Sequence, residues 1–207
     1  MKAIDEDLKL LQVKAVDLLL IHAPYKAWGE PWSNCSKGPA GKAARQATWR
    51  GMEAVVKAGK ARSIGVSNYA ADSPADHHNY LQDVMDIASI PPAVNQCGFC
   101  VGFDDNATTA YCKKHKITYQ AYSPLGGPDI GGKPVMDFKE VKAIAAAHGK
   151  SAAQVALRWV LQQGHALVTA TVDPSYVKED LDLWSWKLSD SEMRQLNSVR
   201  SGAPPAR

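Results

Sequence analysis

The sequence predicts an α/β fold of the (β/α) barrel class, with about five parallel strands. Apolar, strand-like runs alternate with longer helical stretches along all 207 residues, which is typical of a parallel sheet with helical cover. No GxGxxG motif follows any strand, which disfavours a Rossmann domain. The carboxyl ends of barrel strands meet at one face, where active sites lie. Four successive predicted strands end in polar or aromatic residues: His22, Ser67 with Asn68, Asn95 with Gln96, and Tyr122 with Ser123.

The spacing of apolar residues predicts the elements in chain order. They are a helix at 4–12, a strand at 15–21, a helix at 44–59, a strand at 62–68, a helix at 73–88, a strand at 93–97, a helix at 106–116, a strand at 117–123, helices at 138–149 and 151–164, a strand at 166–172, and helices at 175–184 and 189–199. Gly59 is typical of the position just after a helix. Ser151 is a predicted N-cap, and Ser189 with Glu192 predicts a capping box.

Composition and charge exclude several classes of partner. The 24 basic and 21 acidic residues are interspersed and give a formal charge of +3, so the chain lacks the basic stripe of a nucleic-acid-binding protein. The N-terminal MKAIDEDLKLLQ has no apolar core of signal-peptide length, and no apolar run approaches a membrane span. We therefore expect a single cytoplasmic domain over residues 1–207 with a small-molecule partner, and neither a nucleic-acid nor a membrane partner.

Four cysteines lie at positions 35, 97, 100 and 112, and the CGFC motif at 97–100 allows two interpretations. A CxxC pair occurs in redox and zinc sites. No second CxxC or close histidine pair completes a zinc site, and the motif lies in a strand pattern rather than at a helix N-terminus, where thiol pKa values are usually lowered. We therefore expect reduced cysteines that pack in the core.

His22 differs from the other histidines because it ends the apolar run VDLLLI (16–21), just before Pro24 stops any continuation. A polar residue at one strand end, such as Ser67, also fits solvent contact or helix capping. Four such ends in succession favour a shared site. Five histidines in or beside predicted helices, or just before a strand, are interpreted as solvated or structural: His77, His78, His115, His148 and His165.

The motifs of the chain, in their order, resemble those of a known family. VDLLLIHAP, TWRGMEAVVKAGKARSIGVSNY, PAVNQC and AYSPLGG hold four strand ends, while SAAQVALRWVLQQG and KEDLDLWSWKLSDSEM hold the last helices. With these spacings the chain resembles the aldo-keto reductases, (β/α)8 barrels that reduce aldehydes and ketones with NAD(P)H. The resemblance covers nearly the whole chain, and VDLLLIHAP is similar to the family's fourth strand with its active-site histidine.

The resemblance implies roles for the strand-end residues. His22 would orient the substrate carbonyl or assist proton transfer. Ser67, Asn68 and Gln96 would hydrogen-bond the nicotinamide carboxamide, and Tyr122 would stack on the nicotinamide ring. These types suit hydride transfer, which needs a rigidly held ring beside the carbonyl carbon.

The resemblance also implies a loop that receives the cofactor's pyrophosphate. Ser123, Leu125 and Gly126 of AYSPLGG would line this loop, where small residues let the backbone approach the phosphates. Beside the cofactor, the loop from Pro24 to Arg45 occupies the place of a substrate-facing loop. Its Trp28 and Trp32 would form either an apolar wall around the substrate or a cover for the barrel edge.

The segment TATVDPSYVKED departs from the family pattern around the cofactor's 2′-phosphate. The family usually places a Lys or Arg, a Ser and an Arg there. This chain has Ala170, Thr171 and Tyr176, with Glu179 and Asp180 in the positions that meet the adenine. A neutral or acidic lining disfavours a phosphate, although Tyr176 could stack on the adenine ring. The cofactor is therefore expected to be NADP or NAD, without a clear preference for NADP.

The match begins at the helix before the family's fourth strand, so we expect a truncated barrel that lacks the first three β/α units. The family's proton donor, a tyrosine with a lysine and an aspartate, belongs to those units. We therefore expect an NAD(P)H-dependent aldo-keto reductase that is inactive as this chain alone. The alternative is a non-catalytic remnant that binds a cofactor or a protein partner. In either case the exposed edge at residues 16–21 is expected to favour self-association.

Overall fold

The computed structural model describes residues 2–24, 41–74, 76–127 and 134–200. Trp28, Trp32 and Cys35, three residues named above, lie outside the described residues. Within these ranges the chain alternates helices and strands: α1 Lys2–Leu11, β1 Val16–Ile21, α2 Lys42–Lys57, β2 Ala61–Ser67, α3 Tyr80–Met85, β3 Val94–Gly98, α4 Asn106–His115, β4 Thr118–Tyr122, α5 Lys139–His148, α6 Ala152–Gln162, β5 Ala166–Leu167, α7 Pro174–Leu181 and α8 Asp190–Asn197. The α/β fold with five parallel strands is confirmed.

The chain divides into two compact units, of which the first comprises Met1–Gln96 and Ala107–Thr118. Strand β2 is the middle strand of this unit and pairs in parallel with β1 on one side and β3 on the other. Ile21 and Asn95 both pair with Val66, and Ser67 pairs with Gln96. His22, Ser67 and Gln96 therefore lie at the same level. His22 and Ser67 mark the carboxyl ends of β1 and β2, whereas β3 continues past Gln96 to Gly98.

The second unit comprises Cys97–Asn106 and Tyr119–Arg207. Strands β4 and β5 pair in parallel in this unit, with Gln120 opposite Ala166. Helix α6 supplies much of the core through its buried face. Ser151 and Gln154 form a capping box at the start of α6, and Ser189 and Glu192 form one at the start of α8, so both predicted caps are confirmed.

The helix predicted over 73–88 is wrong at its start, because α3 begins only at Tyr80. The Asn79 side chain accepts a hydrogen bond from the Gln82 amide and sets the first turn. Before it, the Asp76 carboxylate accepts a hydrogen bond from the His78 amide. Asp and Asn side chains compete with helical hydrogen bonds in this way, so the segment before Asn79 folds as turns.

The strand predicted over 166–172 is also shorter than expected, since β5 ends at Leu167. The Val168 amide still donates to the Ala121 carbonyl at 2.9 Å. Strand β4 then ends, and Ser123 adopts a left-handed conformation with φ 48°. The ladder between the two strands stops there because β4 no longer continues alongside.

The cysteines of CGFC have buried surroundings. Cys97 and Cys100 are 6% and 2% exposed, and Cys112 of α4 is fully buried. Burial raises the pKa of the Cys100 thiol to about 12, which keeps it protonated and unreactive. This burial agrees with the packing role expected for these thiols. Separately, none of the helices within the described ranges has the length and apolarity needed to cross a bilayer.

Gly65 of β2 and Gly51 of α2 provide a matched test of the packing. A Cβ at Gly65 would collide with the Val94 carbonyl oxygen and lie 2.8 Å from Leu20 Cδ2, whereas a Cβ at Gly51 would meet nothing within 4 Å. We expect Gly65→Ala to lower the free energy of unfolding by roughly 1–3 kcal/mol. Gly51→Ala should raise it by about 0.5–1 kcal/mol, because alanine favours the helix. Urea unfolding midpoints compare the two, and equal stability of Gly65→Ala and wild type would contradict the tight strand packing.

Candidate active site

Three strand ends form a polar cluster in the first unit. His22 follows the last residue of β1, Ser67 ends β2, and Gln96 lies beside Ser67 on β3. The His22 side chain is exposed, whereas Ser67 is 4% exposed. This cluster therefore presents an imidazole to solvent above a buried hydroxyl.

Asn68 joins the three strand ends through hydrogen bonds. Its Nδ2 donates to the His22 carbonyl at 2.9 Å and to Ser67 Oγ at 3.2 Å. Its backbone amide donates to the Gln96 carbonyl at 2.9 Å. Ser67 Oγ donates to the same carbonyl at 2.8 Å. The Asn68 carboxamide N–H groups thus donate to oxygen atoms of the protein. The bond to His22 links β1 to β2 beyond the last residue pair of their ladder.

The backbone of Asn68 adopts the left-handed conformation, with φ 62°. Asparagine tolerates this region better than most residues with a side chain. The turn it makes directs the carboxamide back across the ends of β2 and β1 instead of along the next segment. The residue type and the conformation together explain why an asparagine follows Ser67.

The second unit holds the Tyr122 strand end and a tight turn after it. Tyr122 is half-buried, and its carbonyl accepts a hydrogen bond from the Phe99 amide at 3.3 Å. The Ser123 carbonyl accepts one from the Gly126 amide at 2.9 Å. Gly126 and Gly127 have φ values of 78° and 141°, which a side chain would strain. The predicted Ser123–Gly126 segment is therefore a closed turn at the carboxyl end of β4.

Four further predicted cofactor residues lie before or on α7. Thr171 Oγ1 accepts a hydrogen bond from the Asp173 amide at 3.0 Å, next to the start of the helix. Tyr176 is 55% exposed on its first turns. No α7 residue is buried, so the helix is covered only lightly by its own unit.

The two acidic residues predicted to meet the adenine have different surroundings. Glu179 Oε2 accepts a hydrogen bond from Ser151 Oγ at 2.7 Å, so this carboxylate helps to tie α7 to the start of α6. Burial, with the Glu179 charge adding to it, raises the pKa of Asp180. The role of both residues toward adenine stays a prediction, and Glu179 has a structural role as well.

A buried ionic cluster in the first unit was not found from the sequence. Arg45 Nη2 and His78 Nε2 each lie 2.7 Å from Asp83 Oδ2. Arg45 and Asp83 are both 2% exposed. The cluster fastens α2 to α3 and gives His78 the structural role that was expected. The available signal was that Arg45 shares the buried helical stripe of Trp49 and Met52.

Two histidines of the second unit also have structural surroundings. His148 Nε2 lies 2.8 Å from Glu192 Oε1 and so links α5 to α8. His165 packs against the rings of Phe99 and Tyr119, with centroid distances of 4.8 and 4.9 Å. Burial lowers the pKa of His165, which keeps its imidazole neutral at neutral pH. Both fit the interpretation made from the sequence.

The structure thus assembles the predicted residues in groups. His22, Ser67, Asn68 and Gln96 are linked in the first unit. Tyr122, Ser123, Leu125 and Gly126 share one segment of the second unit, and the residues on and before α7 form another group: Thr171, Tyr176, Glu179 and Asp180. The convergence of His22, Asn68, Gln96 and Tyr122 on one cleft stays a prediction.

Asn68 allows a test that separates its side-chain bonds from its backbone conformation. Asn68→Ala loses the bonds and keeps a Cβ in the left-handed region, so we expect it to lower the free energy of unfolding by about 2 kcal/mol. Asn68→Gly loses the same bonds without that strain and should be about 1 kcal/mol more stable than Asn68→Ala. Chemical denaturation of both variants measures the difference. Equal stability of the two would argue against a strained turn at this position.

Comparison with known proteins identifies the family of the chain. Residues 1–201 match the model of the Aldo/keto reductase family. Protein REDOX 2 of Catharanthus roseus is 36% identical over 95% of the chain and 60% of its own length. An NADPH-dependent codeinone reductase of Papaver somniferum is 34% identical with the same coverage. The structure of an aldose reductase from Schistosoma japonicum has a TM-score of 0.81 and 28% identity, over 98% of this chain and 64% of that one. The chain spans about three fifths of the length of these curated relatives, and it belongs to the aldo/keto reductase family.

Proposed function

We propose that this chain is the part of an NAD(P)H-dependent carbonyl reductase that holds the nicotinamide and orients a small aldehyde or ketone. The observation that carries the proposal is the hydrogen-bonded cluster of His22, Ser67, Asn68 and Gln96 at three parallel strand ends. Family membership supplies the reaction class, and this cluster supplies the polar groups at the face where barrel enzymes place their chemistry.

The residues fit a nicotinamide cofactor at two points. Ser67, Asn68 and Gln96 would hold the carboxamide, and hydrogen bonds of the Ser67 and Asn68 side chains keep these two residues preorganised. Ser123, Leu125 and Gly126 would line the pyrophosphate, in a turn where Gly126 and Gly127 have positive φ values. When bound, the reduced nicotinamide supplies the hydride.

The substrate side of the proposal rests on His22. Its exposed imidazole can donate a hydrogen bond to a carbonyl oxygen. Asn68 Nδ2 donates a hydrogen bond to the His22 carbonyl, which fixes the backbone that carries the imidazole. Trp28 and Trp32 are proposed as an apolar wall for the substrate. Tyr122 is proposed to stack on the nicotinamide ring.

The reaction also needs an acid that delivers a proton to the substrate oxygen, and the described tyrosines of the first unit are poorly suited to this role. A positioned acid is worth roughly 10²–10⁴-fold in rate. Among the described tyrosines of the first unit, the Tyr80 and Tyr111 hydroxyls donate to Asp76 and Gln82. Burial raises the pKa of Tyr69, which makes it a poor acid. We therefore propose that these 207 residues bind the cofactor but do not turn it over.

Cofactor preference provides the first test. Where the family resemblance implies cations around the 2′-phosphate, this chain has Ala170 and Tyr176, so NADH and NADPH should bind within about tenfold of each other. Tyr176→Arg should shift the ratio toward NADPH by about tenfold. Val177→Arg adds the same charge one residue along α7 and should shift it much less. Quenching of tryptophan fluorescence measures each affinity. No saturable binding of either nucleotide would contradict the proposed function.

Turnover provides the second test and separates the enzyme from a non-catalytic cofactor-binding module. We expect the chain to oxidise NADH or NADPH no faster than its His22→Ala variant, because Ser67, Asn68 and Gln96 supply no acid beside His22 that could protonate the substrate oxygen. The measurement is loss of reduced-nicotinamide absorbance over a panel of aldehydes and ketones. Activity that disappears in His22→Ala would show that the described residues already contain a sufficient acid.

A further inference from the structure

Residues 69–71 follow Asn68 and lie outside any helix or strand, yet each is tied to a different element. The Tyr69 carbonyl accepts a hydrogen bond from Asn95 Nδ2 of β3 at 2.8 Å. The Ala70 carbonyl accepts one from the Tyr80 amide at the start of α3, at 2.9 Å. The Ala71 amide donates to Thr108 Oγ1 of α4 at 2.9 Å. Three consecutive residues of a connecting segment are therefore held on three sides.

Two of the three partners are side chains that are completely buried. Asn95 and Thr108 both have 0% exposure. Thr108 and Cys112 are the buried residues of α4, one helical turn apart, and Asn95 Nδ2 lies 3.9 Å from Cys112 Sγ. Buried polar groups in such places destabilise a protein unless they make hydrogen bonds. Their hydrogen bonds to Tyr69 and Ala71 account for a polar residue at each position.

The segment they hold begins at Asn68, which has a left-handed backbone conformation. A left-handed conformation at a residue other than glycine persists only where the surroundings fix it. Asn68 has this conformation, and neighbouring residues of β3 hold it from both sides. The Gln96 carbonyl accepts a hydrogen bond from the Asn68 backbone amide, and Asn95 Nδ2 donates one to the carbonyl of the next residue, Tyr69.

We propose that Asn95 and Thr108 are positioning residues for Asn68. They fix the backbone of residues 69–71, which follow Asn68. The Asn68 carboxamide therefore keeps its hydrogen bonds to the His22 carbonyl and Ser67 Oγ and stays in position for the nicotinamide. The ligand part of this inference rests on the proposed function, whereas the positioning part concerns the protein alone. A purely structural role would lower overall stability without selectively loosening residues 68–71.

The experiment uses matched variants of the 207-residue chain. Thr108→Val removes the hydroxyl and keeps the shape, while Thr108→Ser keeps the hydroxyl. Asn95→Leu removes the donor to Tyr69. Val55→Ala truncates a core residue of α2 that is 4% exposed and serves as a control for a general loss of stability.

Amide hydrogen exchange of the nucleotide-free chain, followed by NMR, is the first readout. We expect the Ala71 amide to exchange about tenfold faster in Thr108→Val. The Asn68 side-chain NH₂ resonances should shift in Thr108→Val and Asn95→Leu. Thr108→Ser should restore both signals, and Val55→Ala should leave both unchanged. Wild-type exchange and Asn68 signals in Thr108→Val, or the same changes in Val55→Ala, would overturn the inference.

Nucleotide affinity is the second readout. We expect Thr108→Val and Asn95→Leu to bind NADH and NADPH about tenfold more weakly, with recovery in Thr108→Ser. If wild type binds neither nucleotide, the proposed function fails while the exchange data still decide the positioning role. If the variants loosen residues 68–71 but bind as wild type does, the link from Asn68 position to the ligand is overturned.

Discussion

The hydrogen bonds of Asn68 are the constraint on which the rest of the candidate site depends. Parallel strands end at the same level, but their ladder does not fix the residues just beyond it. Asn68 Nδ2 fixes these residues by donating hydrogen bonds to the His22 carbonyl and Ser67 Oγ. The Asn68 backbone amide donates a further bond to the Gln96 carbonyl. One residue in a left-handed conformation thereby sets the positions of three others. The arrangement is possible because asparagine is small, carries two N–H donors and tolerates positive φ.

The packing beneath the strand ends explains why this constraint is stable. Gly65 lets β2 lie close to its neighbours, since any side chain there would collide with Val94. The Arg45–Asp83 pair, buried and supplemented by His78, joins the helices that follow β1 and β2. Removing one partner of such a pair would leave an uncompensated buried charge, which is far more destabilising than never having had the pair. The close packing at Gly65 and the buried ion pair between α2 and α3 therefore both tolerate little change.

The sequence predicted the α/β fold with five parallel strands, the cap at Ser151, the capping box at Ser189 and the ends of β1 and β2, because these depend on local patterns of apolar spacing and capping chemistry. It misplaced the start of α3, since the Asp76 and Asn79 side chains compete with helical hydrogen bonds. It gave no role to Asn95, whose bond to Tyr69 joins residues 26 positions apart. Such long-range polar pairs leave no periodic signal. The clustering of His22, Ser67, Asn68 and Gln96 was predictable because parallel strands bring successive carboxyl ends together.

The predicted cofactor residues of the first unit and those on α7 differ in how freely they can change. The Ser67 and Asn68 side chains are hydrogen-bonded at the strand ends, so a substitution at either residue loses hydrogen bonds that other residues need. Helix α7 has no buried residue, and exposed substitutions usually alter stability by less than about 0.5 kcal/mol. Residues such as Tyr176 can therefore vary with little effect on folding. Under the proposed function, the contacts to the nicotinamide would stay constant while substitutions at α7 changed the preference between NADH and NADPH.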